Sequence, residues 1–318
     1  MDSRPFISIC IPAYKNEDFL ERLLNSISIQ IFKDFEVVVS DDSPNDSLQS
    51  LINTYSAIFK IRYSRNDTPL GSPANWNNAI QLASGDWIKI MHDDDWFANE
   101  QSLSKFAEIA YASDCDFIFS GFVNVDLNNG AKSVNVINSF QKWMLRRNPL
   151  YLFRKNYIGH PSTTLIRNNS EIWFDEKIKW VVDFEFYIRK LYEYKKFCAI
   201  QKPLINIGLS KEQITKTAFR NKAIEIPENL YLLRKSESKI LKYIFVYDYY
   251  WRLIRNLAIR KADDIEVNDI EQTEVPAPLI DMVRIQSFFS ILVLKIGVVS
   301  KILMSVSWVI FLITRKIK

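Results

Sequence analysis

Four short runs rich in β-branched and aliphatic residues constrain this chain most. They are "FISICIP", "FEVVVS", "KIRYS" and "DWIKIM". Between them lie three segments with apolar residues at helical spacing. "EDFLERLLNSISIQ" carries Phe19, Leu20, Leu23, Leu24 and Ile27. "LQSLINTYSAIF" follows the second run and "SPANWNNAIQLAS" the third. In the last of these, Ser72 is expected as the N-cap and Pro73 at the first helical position. A β-α-β-α-β-α-β series predicts a parallel sheet flanked by helices, with ligands bound at the carboxyl ends of its strands. Polar clusters fall at those ends: "PAYKN" after the first run, "SDDS" after the second and "HDDDW" after the fourth.

The second half is mixed. "DFIFSGFVNVD" predicts one or two strands, "STTLIR" another, and "VVDFEFYIRKLYEY" a helix. Residues 222–260 are helical and aromatic-rich. Residues 261–281 are acidic with two prolines and predict an exposed linker. The chain has 318 residues, 48% of them hydrophobic and only seven of them glycine, which excludes disordered and fibrous classes.

Charge is unevenly placed. Residues 281–318 hold Arg284, Lys295, Lys301, Arg315, Lys316 and Lys318 against Asp281 alone, so the rest is slightly acidic and no nucleic-acid partner is expected. Within that tail, 285–313 is apolar but interrupted by Lys295 and Lys301, and its longest uncharged stretch is 302–314. A spanning helix wants about 20 apolar residues. A basic, apolar segment of this kind therefore predicts a membrane-associated tail, peripheral or monotopic rather than spanning. Its positive charges favour an anionic cytoplasmic leaflet.

Cys10, Cys115 and Cys198 form no C-x-x-C pair, and the first two border or lie in strand-like runs. All three are expected as buried thiols of a reducing compartment. With two histidines, a histidine-built zinc site is not expected. "MDSRPFISIC" carries no secretory-signal pattern.

Three adjacent aspartates repel one another. At a strand's carboxyl end beside a crevice they suit a hard divalent cation, which takes oxygen ligands and is commonly shared with substrate phosphates. An acidic loop or a helix N-terminus is the alternative reading of "DDD". For Asp41 and Asp42 the alternative is a turn start. Trp76 and Trp96 could stack on a base or sugar, or serve as core.

Together, "ISICIPAYKNEDFLERLLNSI", "FEVVVSDDSPNDS", "LGSPANWNNAIQLASGDWIKIMHDDDWF" and "WVVDFEFYIRKL" resemble the family 2 inverting glycosyltransferases of the GT-A fold, over roughly residues 5–220. The resemblance implies an α/β fold of GT-A type: a nucleotide-binding, mostly parallel sheet, a mixed acceptor half, and here a C-terminal helical, membrane-associated extension. It implies a glycosyltransferase domain at 1–220; composition and charge add a helical extension and acidic linker at 221–280 and the basic apolar tail at 281–318.

It also implies residue roles. Pro12, Ala13 and Tyr14 would line the nucleotide pocket, Tyr14 near the base. Asp41 or Asp42, the latter favoured, would meet the base. Asp93 would face the ribose. Asp94, the leading candidate, and Asp95 would hold Mn²⁺ or Mg²⁺. His92 stands where many relatives have the first Asp, and Lys15 where Asn is common. Asp183 would be the general base, Glu185 its understudy, and His160 a candidate acceptor contact.

The implied reaction moves a sugar from a nucleotide-diphosphate donor, UDP-linked, to a saccharide or lipid-linked acceptor in cell-surface polysaccharide synthesis. Its place would be the cytoplasmic face of a bacterial inner membrane. A sugar-nucleotide nucleotidyltransferase would want a glycine-rich basic loop after the first strand, and "PAYKNED" has no glycine. A non-catalytic scaffold would have lost its carboxylates, yet Asp42, Asp94 and Asp183 are present.

Overall fold

The computed structural model describes residues 4–169, 173–210, 219–265 and 275–314. The chain forms two compact units. The first comprises Met1–Pro149, Tyr157–Glu176 and Val182–Lys211; the second comprises Leu150–Asn156, Lys177–Val181 and Glu212–Lys318.

In the first unit the four apolar runs become strands β1 (Ile7–Ala13), β2 (Phe35–Asp41), β3 (Ile61–Arg65) and β4 (Trp87–Ile90). They lie parallel in the order β3-β2-β1-β4. Between them run α1 (Glu17–Ser28), α2 (Gln49–Ser56) and α3 (Ala74–Gln81). Alternation along the strands fills one core: Ile7, Ile9 and Ile11 with Val37 and Val39 pack against Leu20, Leu23, Leu24 and Ile27 of α1. Asn16 caps α1 by accepting from the Phe19 N–H at 3.0 Å, and Glu17 and Asp18 sit in its first turn, where the helix dipole favours negative charge. The capping position of α3 is Pro73, not the expected Ser72, and no side chain caps that helix. Backbone bonds from Asn75 N to Gly71 O and from Asn77 N to Pro73 O close its first turn instead.

The sheet continues in mixed sense. β5 (Trp96–Phe97) is followed by α4 (Ser102–Ala112), then β6 (Phe117–Asp126), β7 (Lys132–Asn135), α5 (Ser139–Arg147), β8 (Thr164–Arg167), α6 (Val182–Tyr194) and β9 (Cys198–Leu209). "DFIFSGFVNVD" is thus one ten-residue strand. The full order is β3-β2-β1-β4-β8-β6-β9-β5, with β7 on the side of β6. β8 pairs antiparallel with both β4 and β6, and β9 runs parallel to β6 and antiparallel to β5.

β9 has no counterpart among the sequence expectations. Its Gln201-Lys202-Pro203 interrupts the apolar pattern. Pro203 is accommodated where the register against β6 shifts around Gly121, as a residue without an N–H requires. β9 also corrects the cysteine expectation. It brings Cys198 beside Cys115, just before β6, and the two form a disulfide with Cα atoms 6.0 Å apart; Cys10 alone is a buried thiol.

The second unit is helical among the described residues. It contains α7 (Lys222–Lys235), α8 (Ile244–Asn256), α9 (Ala277–Ser287), α10 (Ile291–Lys295) and α11 (Gly297–Thr314). Part of the expected acidic linker, 266–274, lies outside the described residues. Its end is not exposed linker, because α9 starts there and buries Leu279, Met282 and Val283.

Candidate active site

Three strand ends converge on the DDD turn. β4 ends at Ile90, and Met91 N bonds Cys10 O on β1. The chain then turns, with Asp95 N bonded to His92 O at 3.0 Å, and enters β5. Each aspartate meets a different environment. Asp93 accepts from the Tyr14 N–H at 3.1 Å, so the turn is tied to the end of β1. Pro12 and Ala13 are buried in β1, whereas the Tyr14 ring is half exposed with the Lys15 ammonium 4.6 Å from its centroid.

The Asp94 carbonyl accepts from the Arg22 guanidinium at 3.0 Å, and that guanidinium lies over the Trp96 ring at 4.1 Å. Trp96 is thereby committed to Arg22. Asp95 is buried, and its Oδ1 accepts from Gly208 N on β9 at 3.3 Å.

His92, Asp94 and Asp95 bring one ligand atom each to within 4.8 Å of one another. Sequence reasoning named the two aspartates as ligands and noticed His92 only as a departure. The two carboxylates suit either expected ion, and of the two Mn²⁺ tolerates an imidazole nitrogen beside them more readily than the harder Mg²⁺. His92 Nε2 and Asp95 Oδ2 are buried with no hydrogen-bond partner among the described residues. Buried polar atoms are normally satisfied, so this pair fits the donor set of a cation site.

The electrostatics agree. Burial, then the Asp94 charge, pushes the Asp93 carboxyl up to about 7. The same two causes hold Asp95 well above the usual carboxylate range, against the Ser162 hydroxyl, the Gly208 N–H and Lys89. Burial, then His160 and Lys89, pushes His92 down to about 3, so its imidazole is neutral, the form a metal requires. Fully buried Lys89 reaches the Ser162 carbonyl, and burial lowers it to about 7 although Asp95 opposes the shift.

Asp41 and Asp42 are buried and well supplied with donors. Asp41 accepts from Ser43 N and the Tyr63 hydroxyl, both at 2.8 Å. Asp42 accepts from the Asn66 amide at 2.6 Å, Leu70 N at 3.0 Å and Gly71 N at 2.8 Å. Asn66 in turn belongs to an amide–hydroxyl network with Ser40, Asn75 and Asn78. The "NWNN" of α3 thus locks the loop 66–71 to the end of β2.

Asp183 lies half-buried in the first turn of α6, with Oδ1 accepting from the Phe184 N–H at 2.8 Å. Two chains of contact link its helix to the turn. Tyr187, one helical turn on, feels the Asp183 charge and donates to Gly159 O at 3.1 Å, beside His160. His160 is itself within the field of Asp94. On the second route Phe186 packs on Phe174, Phe174 on Trp76, and Trp76 on the His92 ring at 4.5 Å. Trp76 is therefore wall rather than open platform. Glu185 is 3% exposed and held by both ends of the Arg189 guanidinium, at 2.9 and 3.1 Å. That commitment makes it a poor base.

A parallel sheet end bearing an acidic, cation-ready turn, continued by a mixed sheet, defines a nucleotide-sugar transferase of GT-A type. Residues 8–172 match Glycosyl transferase family 2, and the chain belongs to that family; it is a glycosyltransferase. It is 26% identical over 271 residues to the GalNAc(5)-diNAcBac-PP-undecaprenol beta-1,3-glucosyltransferase of Campylobacter jejuni, covering 79% of this chain and 84% of that protein. Its fold is similar to that of S. aureus TarS 1–349 in complex with UDP-GlcNAc, with a TM-score of 0.62 at 19% identity, over 89% of this chain and 81% of that one. It is also similar to the mannosyltransferase PcManGT from Pyrobaculum calidifontis in complex with GDP-Man and Mn2+, with a TM-score of 0.50 at 12% identity, over 96% and 74%.

Proposed function

We propose that this family 2 enzyme is a metal-dependent, inverting transferase. It would take its sugar from a UDP-linked donor and pass it to a saccharide or lipid-linked acceptor of cell-surface polysaccharide, at the cytoplasmic face of a bacterial inner membrane. The observation that carries metal dependence is the trio His92, Asp94 and Asp95 with two orphaned buried atoms. The UDP-sugar complex of the structural relative and the lipid-diphosphate acceptor in the C. jejuni relative's name support the donor and acceptor classes.

His92, Asp94 and Asp95 would hold Mn²⁺ or Mg²⁺, which when bound offsets charge on the departing diphosphate. Pro12, Ala13 and Tyr14 line the nucleotide side, and Asp93 orients toward the ribose while anchored on the Tyr14 N–H. A carboxylate has about four acceptor directions. Asp42 uses three within the protein, which leaves one for a base N–H. Asp183 takes the acceptor hydroxyl's proton as that oxygen attacks the anomeric carbon from the face opposite the diphosphate. The new C–O bond forms as the sugar–phosphate bond breaks, and the configuration inverts.

Calorimetric titration with UDP, with and without Mn²⁺, tests this. Tighter binding with the ion, abolished in Asp94→Asn at an unchanged melting temperature, is expected. Equal UDP affinity with and without Mn²⁺ in the unaltered enzyme would remove the metal from the reading.

A further inference from the structure

Among the described residues one helix, α11, is long and apolar enough to cross a membrane. Its two faces behave differently. Ser300, Met304, Ser307 and Phe311, spaced by four, three and four residues, are buried along one side. Ser307 Oγ lies 2.7 Å from the Tyr247 hydroxyl, and Ser300 Oγ accepts from Trp251 Nε1 at 3.1 Å and from Arg255 at 3.2 Å. Lys301 Nζ sits 2.5 Å from the Asp248 carboxylate. All four partners lie on α8. The opposite side carries Val298, Ile302, Val306 and Ile313, each more than half exposed, and Phe288 and Leu292 before α11 are exposed by 80% and 78%.

We propose that this outward stripe is a docking face that lies in the plane of an anionic lipid bilayer and does not cross it. This goes beyond the transfer reaction and does not depend on it. The length of α11, about 27 Å for 18 residues, would allow spanning. Its inner face forbids it. Spanning would either strip Ser300, Ser307 and Lys301 of their partners or carry Asp248, Arg252 and Arg255 of α8 into hydrocarbon, where charges are costly. Lying flat keeps every one of those contacts and buries only the apolar stripe.

Charge selects the occupant. The stripe is interrupted by Lys295, and the sequence runs on into Arg315, Lys316 and Lys318, which lie outside the described residues. Two copies of such a segment would repel each other, whereas an anionic headgroup layer attracts both.

The test is flotation of the full chain with vesicles of equal parts phosphatidylglycerol and phosphatidylcholine, and of phosphatidylcholine alone. Binding to the anionic vesicles is expected, weaker by about tenfold on neutral ones or in Lys295→Glu. The double variant Ile302→Gln/Val306→Gln should fold normally, because both side chains point outward, and should bind about tenfold or more weakly. In cells, a green fluorescent protein fused after Lys318 should fluoresce and an alkaline phosphatase fused there should stay inactive, since the chain end remains on the catalytic side. An active phosphatase fusion would mean that α11 spans and would overturn the proposal. So would unchanged flotation in the double variant. A double variant that turns a dimer into a monomer without altering flotation would assign the stripe to a second copy.

Discussion

Two clusters of aspartates at the same sheet edge have opposite fates. Asp41 and Asp42 at the end of β2 accept five hydrogen bonds between them, three from backbone N–H groups. At the end of β4, Asp95 keeps an oxygen and the neighbouring His92 a nitrogen with no partner among the described residues, and Asp93 is raised to about 7. The chemistry of the residues is the same, so the surroundings make the difference. Backbone donors and amides turn a carboxylate into a fastening for loop 66–71. Carboxylates packed against one another, with fewer donors and a single buried lysine, Lys89, to oppose their charge, suit a cation.

If the carboxylates of the β4 turn and of α6 do the chemistry while Asp41 and Asp42 hold the fold, substitutions should separate the two classes. The largest effect is expected at Asp183. Asp183→Asn should lower kcat by about 10²–10⁴ with donor and Mn²⁺ affinity almost unchanged, read by steady-state kinetics and titration. A near-native kcat would remove it from the mechanism.

Next is Gly208→Ala. A Cβ there runs into the Asp94 carbonyl, and the Gly208 N–H supports Asp95. Supporting groups around a metal typically matter by about 10–100-fold in affinity. Mn²⁺ affinity should fall by that factor while secondary structure stays intact by circular dichroism. An unchanged affinity would show that β9 does not set the turn.

Asp42→Asn should do the reverse. Its NH2 would face the Gly71 N–H, or after a flip the Leu70 N–H and the Asn66 amide, in place of an acceptor, costing about 1–3 kcal/mol in a denaturant melt. Mn²⁺ affinity should not change.

The smallest effect concerns Lys89 in the metal-free enzyme. Its folded pKa, about 7, lies below the unfolded value, so between those values the unfolded chain binds more protons. This group's contribution to stability therefore rises with pH above about 7, at on the order of 1 kcal/mol per pH unit at most. Lys89→Met should flatten that rise in melts with chelator between about pH 7 and 9. An identical slope in the variant would mean that Lys89 is not held low.

Much of this was legible in the chain. The parallel sense of β1 to β4, the placement of polar clusters at their ends and the fold class rest on short-range periodicity and on the handed connections such periodicity enforces. The aspartates could be picked out for the same reason, since each cluster directly follows an apolar run.

What the chain did not display depends on partners far along it. Nothing in "HDDD" says that Asp95 would be sealed under Gly208, 113 residues on, or that Ser162 would sit against the His92 N–H, 70 residues on. Pairing of β8 and β9 into the sheet decided both, and with them the change of His92 from a departure into a ligand candidate. The Cys115–Cys198 bond arose in the same way, from strands whose adjacency no local pattern encodes. The tail divides likewise. Its sequence fixes how apolar and how basic it is. Only packing on Tyr247 and Trp251 decides which side of α11 is left outward, because burial of a helix face is a property of what it packs against.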